Sequence, residues 1–247
     1  ISASYQASLP GLVARGLSED KAADLIRFSV QLAIEARDQF WAVMANRRQR
    51  LRPLVAASVG PYGAYLADGS EYTGVYDLDE VGLLEWHRPR WNILAHSGAD
   101  LLACETIPSL AEAKALRQLL RNTPDMPAWM SFTCQDGRHI SDGTPLAECV
   151  RLLNEVPNLV AVGINCTPPR FLPTLITAVQ ANTDKLIIVY PNSGEEYDPE
   201  TNQWLGQANP GEFGTISREW RKMGALLVGG CCRTGPEHIR QIRDRTR

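Results

Sequence analysis

The sequence predicts an α/β chain of the (β/α)8, TIM-barrel type, and three observations predict it. Short β-rich apolar runs alternate with longer amphipathic stretches along the whole chain, and the runs are apolar on both faces, as parallel strands buried between helices are. The polar and Gly-rich loops follow strands rather than helices, which is where a barrel gathers its chemistry. A doubly wound sheet would show the same alternation. It would also place a G-x-G-x-x-G turn after its first strand, and none stands there.

The elements follow in order. Ile1 to Tyr5 reads as a strand, and Ser18 opens a helix to about Arg47 with Ala22, Leu25, Ile26, Val30, Leu32 and Ala33 at helical spacing. Pro53 introduces a strand from Leu54 to Ser58, and a long loop rich in Gly and Tyr runs from Val59 to Tyr76. A helix from Leu78 to Ser97 ends at Gly98, a residue suited to a helix C-terminus. Strands then fall at Asp100 to Cys104, Ala128 to Thr133, Leu159 to Val162, Lys185 to Tyr190 and Ala225 to Val228. Helices fall at Ser109 to Arg121, Pro145 to Glu155, Phe171 to Ala181, Gly211 to Met223 and Pro236 to Arg245. That makes seven strands and seven helices, one unit short of eight. No linker or composition shift divides the chain, so residues 1–247 read as a single domain.

Composition narrows the function. With 25 Lys and Arg against 28 Asp and Glu, the net charge of −3 carries no footprint for nucleic acid. No apolar run is long enough for a membrane span, and no charged-then-apolar leader opens the chain. Six cysteines are too sparse for a disulfide scaffold, which points to a reducing cytoplasm.

Five segments follow directly on strands and would meet on one barrel face: 59–65, 105–108, 163–166, 191–195 and 229–234. Cys166 ends one of them, and Cys231 and Cys232 sit in another, on what would be the sixth and eighth barrel strands. Three soft thiolates with one position left open describe a catalytic Zn²⁺ site. Gly229 and Gly230 give the backbone freedom to turn both neighbouring thiols inward. Buried apolar cysteines are the alternative.

Gly163-Ile164-Asn165-Cys166 and Gly229-Gly230-Cys231-Cys232-Arg233-Thr234 resemble the zinc motifs of homocysteine S-methyltransferases. The resemblance extends through Ser4-Tyr5-Gln6-Ala7, residues 58–63, Cys104-Glu105-Thr106 and Tyr190-Pro191-Asn192-Ser193-Gly194. The segment from Ser58 to Tyr76 is similar to the S-methylmethionine-using bacterial branch. The resemblance implies Cys166, Cys231 and Cys232 as zinc ligands and catalytic residues through the metal. It implies Glu105 as the partner of the substrate ammonium, and Asn192 at the metal when substrate is absent. By themselves, Glu105 near Pro108 reads equally as a helix-start carboxylate, and Asn192 as a turn residue.

The implied reaction is methyl transfer from a sulfonium, S-methylmethionine or S-adenosylmethionine, to the thiol of homocysteine, giving methionine. A free alkyl thiol is mostly protonated at neutral pH, and binding to Zn²⁺ expels that proton. Three thiolate ligands leave the site at −1, which keeps a fourth, substrate sulfur nucleophilic. Attack on a sulfonium then cancels opposite charges, so no general base is needed. His87, His96, His139 and His238 accordingly read as structural. Tyr62, Tyr65, Tyr72 and Tyr76 offer aromatic faces to a sulfonium.

Relatives open with a strand ending in Asp-Gly that helps hold the ammonium, and nothing here matches it. The expectation is a barrel lacking its first β/α unit. A chain of that kind could bind zinc or a thiol without turnover, or methylate selenocysteine or selenohomocysteine instead.

Overall fold

The computed structural model describes residues 1–198, 203–205 and 208–246. Six parallel strands form one sheet in the order β1 (Ala56–Val59), β2 (Leu101–Ile107), β3 (Ala128–Phe132), β4 (Leu159–Asn165), β5 (Leu186–Tyr190) and β8 (Ala225–Val228). The intervening β6 (Glu196–Asp198) and β7 (Gln203–Leu205) form a separate antiparallel pair in what the sequence suggests is plain loop. Helices alternate with the sheet strands, so the chain has the architecture of a (β/α) barrel wall.

Alternation along each strand sorts two cores. Ala57, Val59, Leu102, Cys104, Met130, Phe132, Val162, Ile164, Ile187 and Val189 pack outward against the helices. Ala56, Leu101, Ala103, Trp129, Ala161, Ile188 and Tyr190 pack together on the inner face. A register shift between Cys104 and Ile107 puts Thr106 in the left-handed region at φ 62°. This bulge lets Glu105 keep the inner face while Ile107 returns to the outer core.

The helices are α1 (Leu9–Val13), α2 (Glu19–Ala42), α3 (Tyr62–Leu66), α4 (Glu80–Ala95), α5 (Leu110–Asn122), α6 (Leu146–Leu153), α7 (Leu172–Gln180), α8 (Pro210–Lys222) and α9 (Pro236–Thr246). Side-chain caps from Ser18, Asp79, Ser109 and Asn209 start α2, α4, α5 and α8. Helix α2 stops at Ala42 and passes into a 3-10 turn at Met44–Arg47, short of the expected single helix. Its buried stripe is Ala22, Ile26 and Val30, while Leu25 and Leu32 face solvent. The expected loop from Val59 to Tyr76 contains α3 and a 3-10 turn at Ser70–Tyr72.

The strand expected at Ile1 to Tyr5 does not form. Only Ser2 N–H reaches β1, donating to the Ala56 carbonyl at 2.9 Å. Two hydroxyls replace the rest of the ladder: Ser2 Oγ accepts from Ser58 N at 3.0 Å, and Ser4 Oγ donates to Ser58 O at 2.7 Å. Short serine side chains compete with backbone pairing in this way. Among the described residues, no helix is long and apolar enough to cross a membrane.

Candidate metal centre and substrate floor

The last inward-facing residues of five neighbouring strands are Ser58, Glu105, Ser131, Asn165 and Tyr190, and all five are buried. They form one hydrogen-bonded floor. Ser58 Oγ donates to Glu105 Oε1 at 2.5 Å, and Tyr190 Oη donates to Glu105 Oε2 at 3.1 Å. Tyr190 Oη also lies 2.5 Å from Ser131 Oγ and accepts from Trp129 Nε1 at 2.9 Å. Ser131 in turn donates to Asn165 Oδ1 at 2.8 Å. Burial pushes the Glu105 carboxyl up from its ordinary range, and the Ser58 and Tyr190 hydrogen bonds oppose that rise. Glu105 is therefore an inward strand residue, and the helix-start reading fails; Ser109 caps α5 instead.

The three cysteine sulfurs stand above this floor. The Sγ atoms of Cys166, Cys231 and Cys232 lie within 4.8 Å of one another, and Cys166 Sγ is 3.4 Å from Cys232 Sγ. All six cysteines are free thiols. Backbone bonds between neighbouring strand ends fix this geometry. Cys166 N donates to Tyr190 O at 3.2 Å, Cys231 N to Pro191 O at 2.8 Å, and Ser193 N to Cys232 O at 3.0 Å. Cys166 and Arg233 take left-handed backbone, at φ 50° and 64°, a conformation that non-glycine residues hold only when their surroundings enforce it. Arg233 also pairs with the Glu195 carboxylate at 3.1 Å, across to the loop after β5. Gly230 allows the tight turn, since a Cβ there would overlap Thr234.

Hydrogen bonds from Cys166 and Cys231 pull the Cys232 thiol down to about 3, whereas the Cys166 thiol is pushed up. Asn192 is buried beside these cysteines, with N–H donating to Thr167 O at 3.2 Å. Its Oδ1 is buried without a hydrogen-bond partner among the described residues. Three soft thiols, with a buried unpartnered amide oxygen on the loop whose flanking residues bond Cys231 and Cys232, are a donor set that suits a thiophilic divalent metal. No histidine belongs to the cluster.

Across the mouth, the segment from Gly60 to Tyr76 rests on a buried ionic strut between α4 and α5. Glu112 Oε1 accepts from Tyr62 N at 2.6 Å and lies 2.7 Å from His87 Nε2. Arg90 Nη2 donates to Gly60 O at 2.5 Å and lies 3.0 Å from His87 Nδ1. Arg90 Nη1 also reaches the Tyr5 and Ala7 carbonyls, each at 3.3 Å. Guanidinium can only donate, so His87 Nδ1 accepts and the ring is the neutral tautomer with Nε2–H toward Glu112. Burial agrees, holding His87 below its ordinary range despite Glu112.

The structure brings Cys166, Cys231 and Cys232 together, places Asn192 on the loop bonded to the last two, and sets Glu105 in the floor below. It also gives Ser58, Ser131, Asn165 and Tyr190 positions that sequence reading leaves unassigned. Asn165 braces the bulge, accepting from Thr106 N at 2.8 Å and donating to Thr106 Oγ1 at 2.7 Å. Three of these residues stand inside the quoted motifs, yet only the inward alternation of β1 to β5 could have singled them out.

Comparison with known proteins agrees with this geometry. The family model described as homocysteine S-methyltransferase matches residues 1–246. Homocysteine S-methyltransferase YbgG of Bacillus subtilis is 56% identical over 242 residues, 98% of this chain and 77% of that protein. The homocysteine methyltransferase MmuM of Escherichia coli, solved in oxidized and metallated forms, is 43% identical. It superposes with TM-scores of 0.87 and 0.86, covering 99% of this chain and 78% of that one. The chain is an enzyme of the homocysteine S-methyltransferase family.

Proposed function

We propose that residues 1–247 form one homocysteine-binding barrel domain that carries Zn²⁺ on Cys166, Cys231 and Cys232. It transfers a methyl group from S-methylmethionine to homocysteine, producing methionine in a reducing cytoplasm. The observation that carries the reading is the convergence of three sulfurs within 4.8 Å above a floor holding one buried carboxylate. Four thiolates at about 2.3 Å from zinc have S···S edges of about 3.8 Å, near the 3.4 Å between Cys166 and Cys232 and inside the 4.8 Å that contains all three sulfurs. MmuM has been solved in a metallated form, which supports a metal at the corresponding motif here.

When bound, the Zn²⁺ supplies a Lewis acid that keeps the acceptor sulfur deprotonated at neutral pH. The chain's own residues do the remainder. Glu105, held by Ser58 and Tyr190, offers its carboxylate to the homocysteine ammonium and so fixes which end of the substrate points at the cysteines. Asn192 Oδ1, buried and without a partner among the described residues, would be a neutral oxygen donor to the metal when no substrate is bound. The buried floor limits water around the reacting sulfur and strengthens the attraction between thiolate and sulfonium. The similarity of the 58–76 segment to S-methylmethionine-using relatives supports that donor.

The test is methionine formation by the zinc-loaded chain from homocysteine with S-methylmethionine, S-adenosylmethionine or betaine. Turnover fastest with S-methylmethionine is expected. Faster turnover with S-adenosylmethionine would correct the donor, and no methionine with any of the three would overturn the reading.

A further inference from the structure

Three of the four tyrosines in the segment 62–76 are occupied with one another. Tyr62 packs 5.9 Å from Tyr65, 5.3 Å from Tyr76 and 5.1 Å from Trp86 between ring centroids. Tyr72 turns the other way. Its Oη lies 3.7 Å from Cys166 Sγ, within hydrogen-bonding range for sulfur, and its ring stays 47% exposed.

The backbone under Tyr72 is built for that reach. Asp68 Oδ1 accepts from Ser70 N at 2.9 Å, and Gly69 takes the left-handed turn at φ 86°. Tyr72 N then donates to Gly69 O at 3.0 Å, and Gly74 N to Ser70 O at 2.8 Å. The 3-10 turn lies directly on α3, because a Cβ at Gly63 would overlap the backbone of Ser70 and Glu71. Helix α3 is itself pinned through Tyr62 N to Glu112. Tyr72 thus belongs to a chain of fixed contacts running from the buried strut to one cysteine.

We propose that Tyr72 is a positioning residue of the metal centre, donating its hydroxyl to the sulfur of Cys166 and covering that sulfur on its solvent side. A thiolate has no proton to give, so with metal bound the phenol must be the donor. A hydrogen bond to a ligand sulfur draws electron density off that sulfur, and contacts of this kind orient the ligands and tune the metal. Tyr72 then sets how much negative charge the three cysteines pass on to the acceptor sulfur. This role rests on the metal reading given above.

Cobalt(II) loaded in place of zinc tests it without relying on turnover. A hydrogen bond stabilises the sulfur lone pairs, so Tyr72→Phe moves the sulfur-to-cobalt charge-transfer absorption to longer wavelength at unchanged cobalt content. Tyr72→Leu gives the same shift and also exposes Cys166 to faster alkylation in the metal-free protein, whereas Tyr72→Phe leaves that rate near wild type. An unmoved band in Tyr72→Phe overturns the role of Tyr72 alone. Failure of the wild-type chain to take up cobalt overturns the metal reading, and this role with it.

Discussion

The two sides of the mouth are built differently. On the β4–β5–β8 side, the thiol loops are short and are held by main-chain hydrogen bonds between adjacent strand ends. On the β1–β2 side, a segment of more than a dozen residues hangs over the site and is held by buried side-chain ions. Backbone bonds fix a ligand wherever strand register places it, which suits three sulfurs that must stay within a metal's reach. Buried side-chain charges fix a segment only while every partner is present. The contrast is one of chemistry against shape: the first side holds the reacting groups, and the second decides what covers them.

The largest effect expected is on the thiol side. Alanine at Cys166, Cys231 or Cys232 lowers metal affinity by more than about 100-fold, beyond the usual cost of losing a supporting contact. Chelator competition reads this directly. Unfolding midpoints of the metal-free chain should move little for Cys166 and Cys232, which belong to neither core, and more for Cys231, which packs against the inner one. Unchanged affinity in all three variants would dissolve the contrast.

The opposite signature belongs to the strut. Arg90→Met leaves His87 Nδ1 and three backbone carbonyls without their donor, and a buried polar group left unsatisfied costs about 1–3 kcal/mol. Urea unfolding should show that loss while metal per folded chain stays near wild type. A loss below about 1 kcal/mol would mean that the segment is held some other way.

Between these lies the floor. Glu105→Gln keeps the shape and removes the charge, so homocysteine KM rises about 10- to 100-fold, the worth of one charge-assisted hydrogen bond, with metal content unchanged. An equal fall in kcat at constant KM would place Glu105 in the transition state instead. The smallest effect concerns pH. The folded Glu105 carboxyl holds its proton to higher pH than an unfolded one, so the native state binds more protons between the ordinary carboxylate value and the raised one. Its contribution to stability is therefore complete below that window and falls as pH rises through it. Ligand-free wild type should gain stability relative to Glu105→Gln as pH drops from neutral toward the ordinary carboxylate range. A constant difference between the two would show that Glu105 titrates normally.

The same contrast governs what is legible in the sequence. The thiol side is local: Cys166 ends its strand, Cys231 and Cys232 follow Gly229 and Gly230, and the motifs carry their chemistry within a few residues. The strut is not. His87, Arg90 and Glu112 sit on two helices, and nothing about a histidine at helical spacing marks it as the hydrogen-bond partner of a carboxylate 25 positions away. The floor is intermediate. Ser58, Glu105, Ser131, Asn165 and Tyr190 close successive strands, but β2 and β4 run on past the expected Cys104 and Val162 to Ile107 and Asn165. Those extra residues are what turn Glu105 and Asn165 inward. Ile1 to Tyr5 shows the reverse error, since a β-like composition yields to serine hydroxyls that, with one backbone bond from Ser2, satisfy the edge of β1.

The central claim is that three cysteines hold a metal without which the acceptor thiol is not activated. Metal content and methionine formation, followed in one sample through chelation and zinc restoration, test it most directly. The account predicts about one zinc per chain, with activity leaving and returning in proportion to it. Methyl transfer at an undiminished rate from metal-free chain would contradict it.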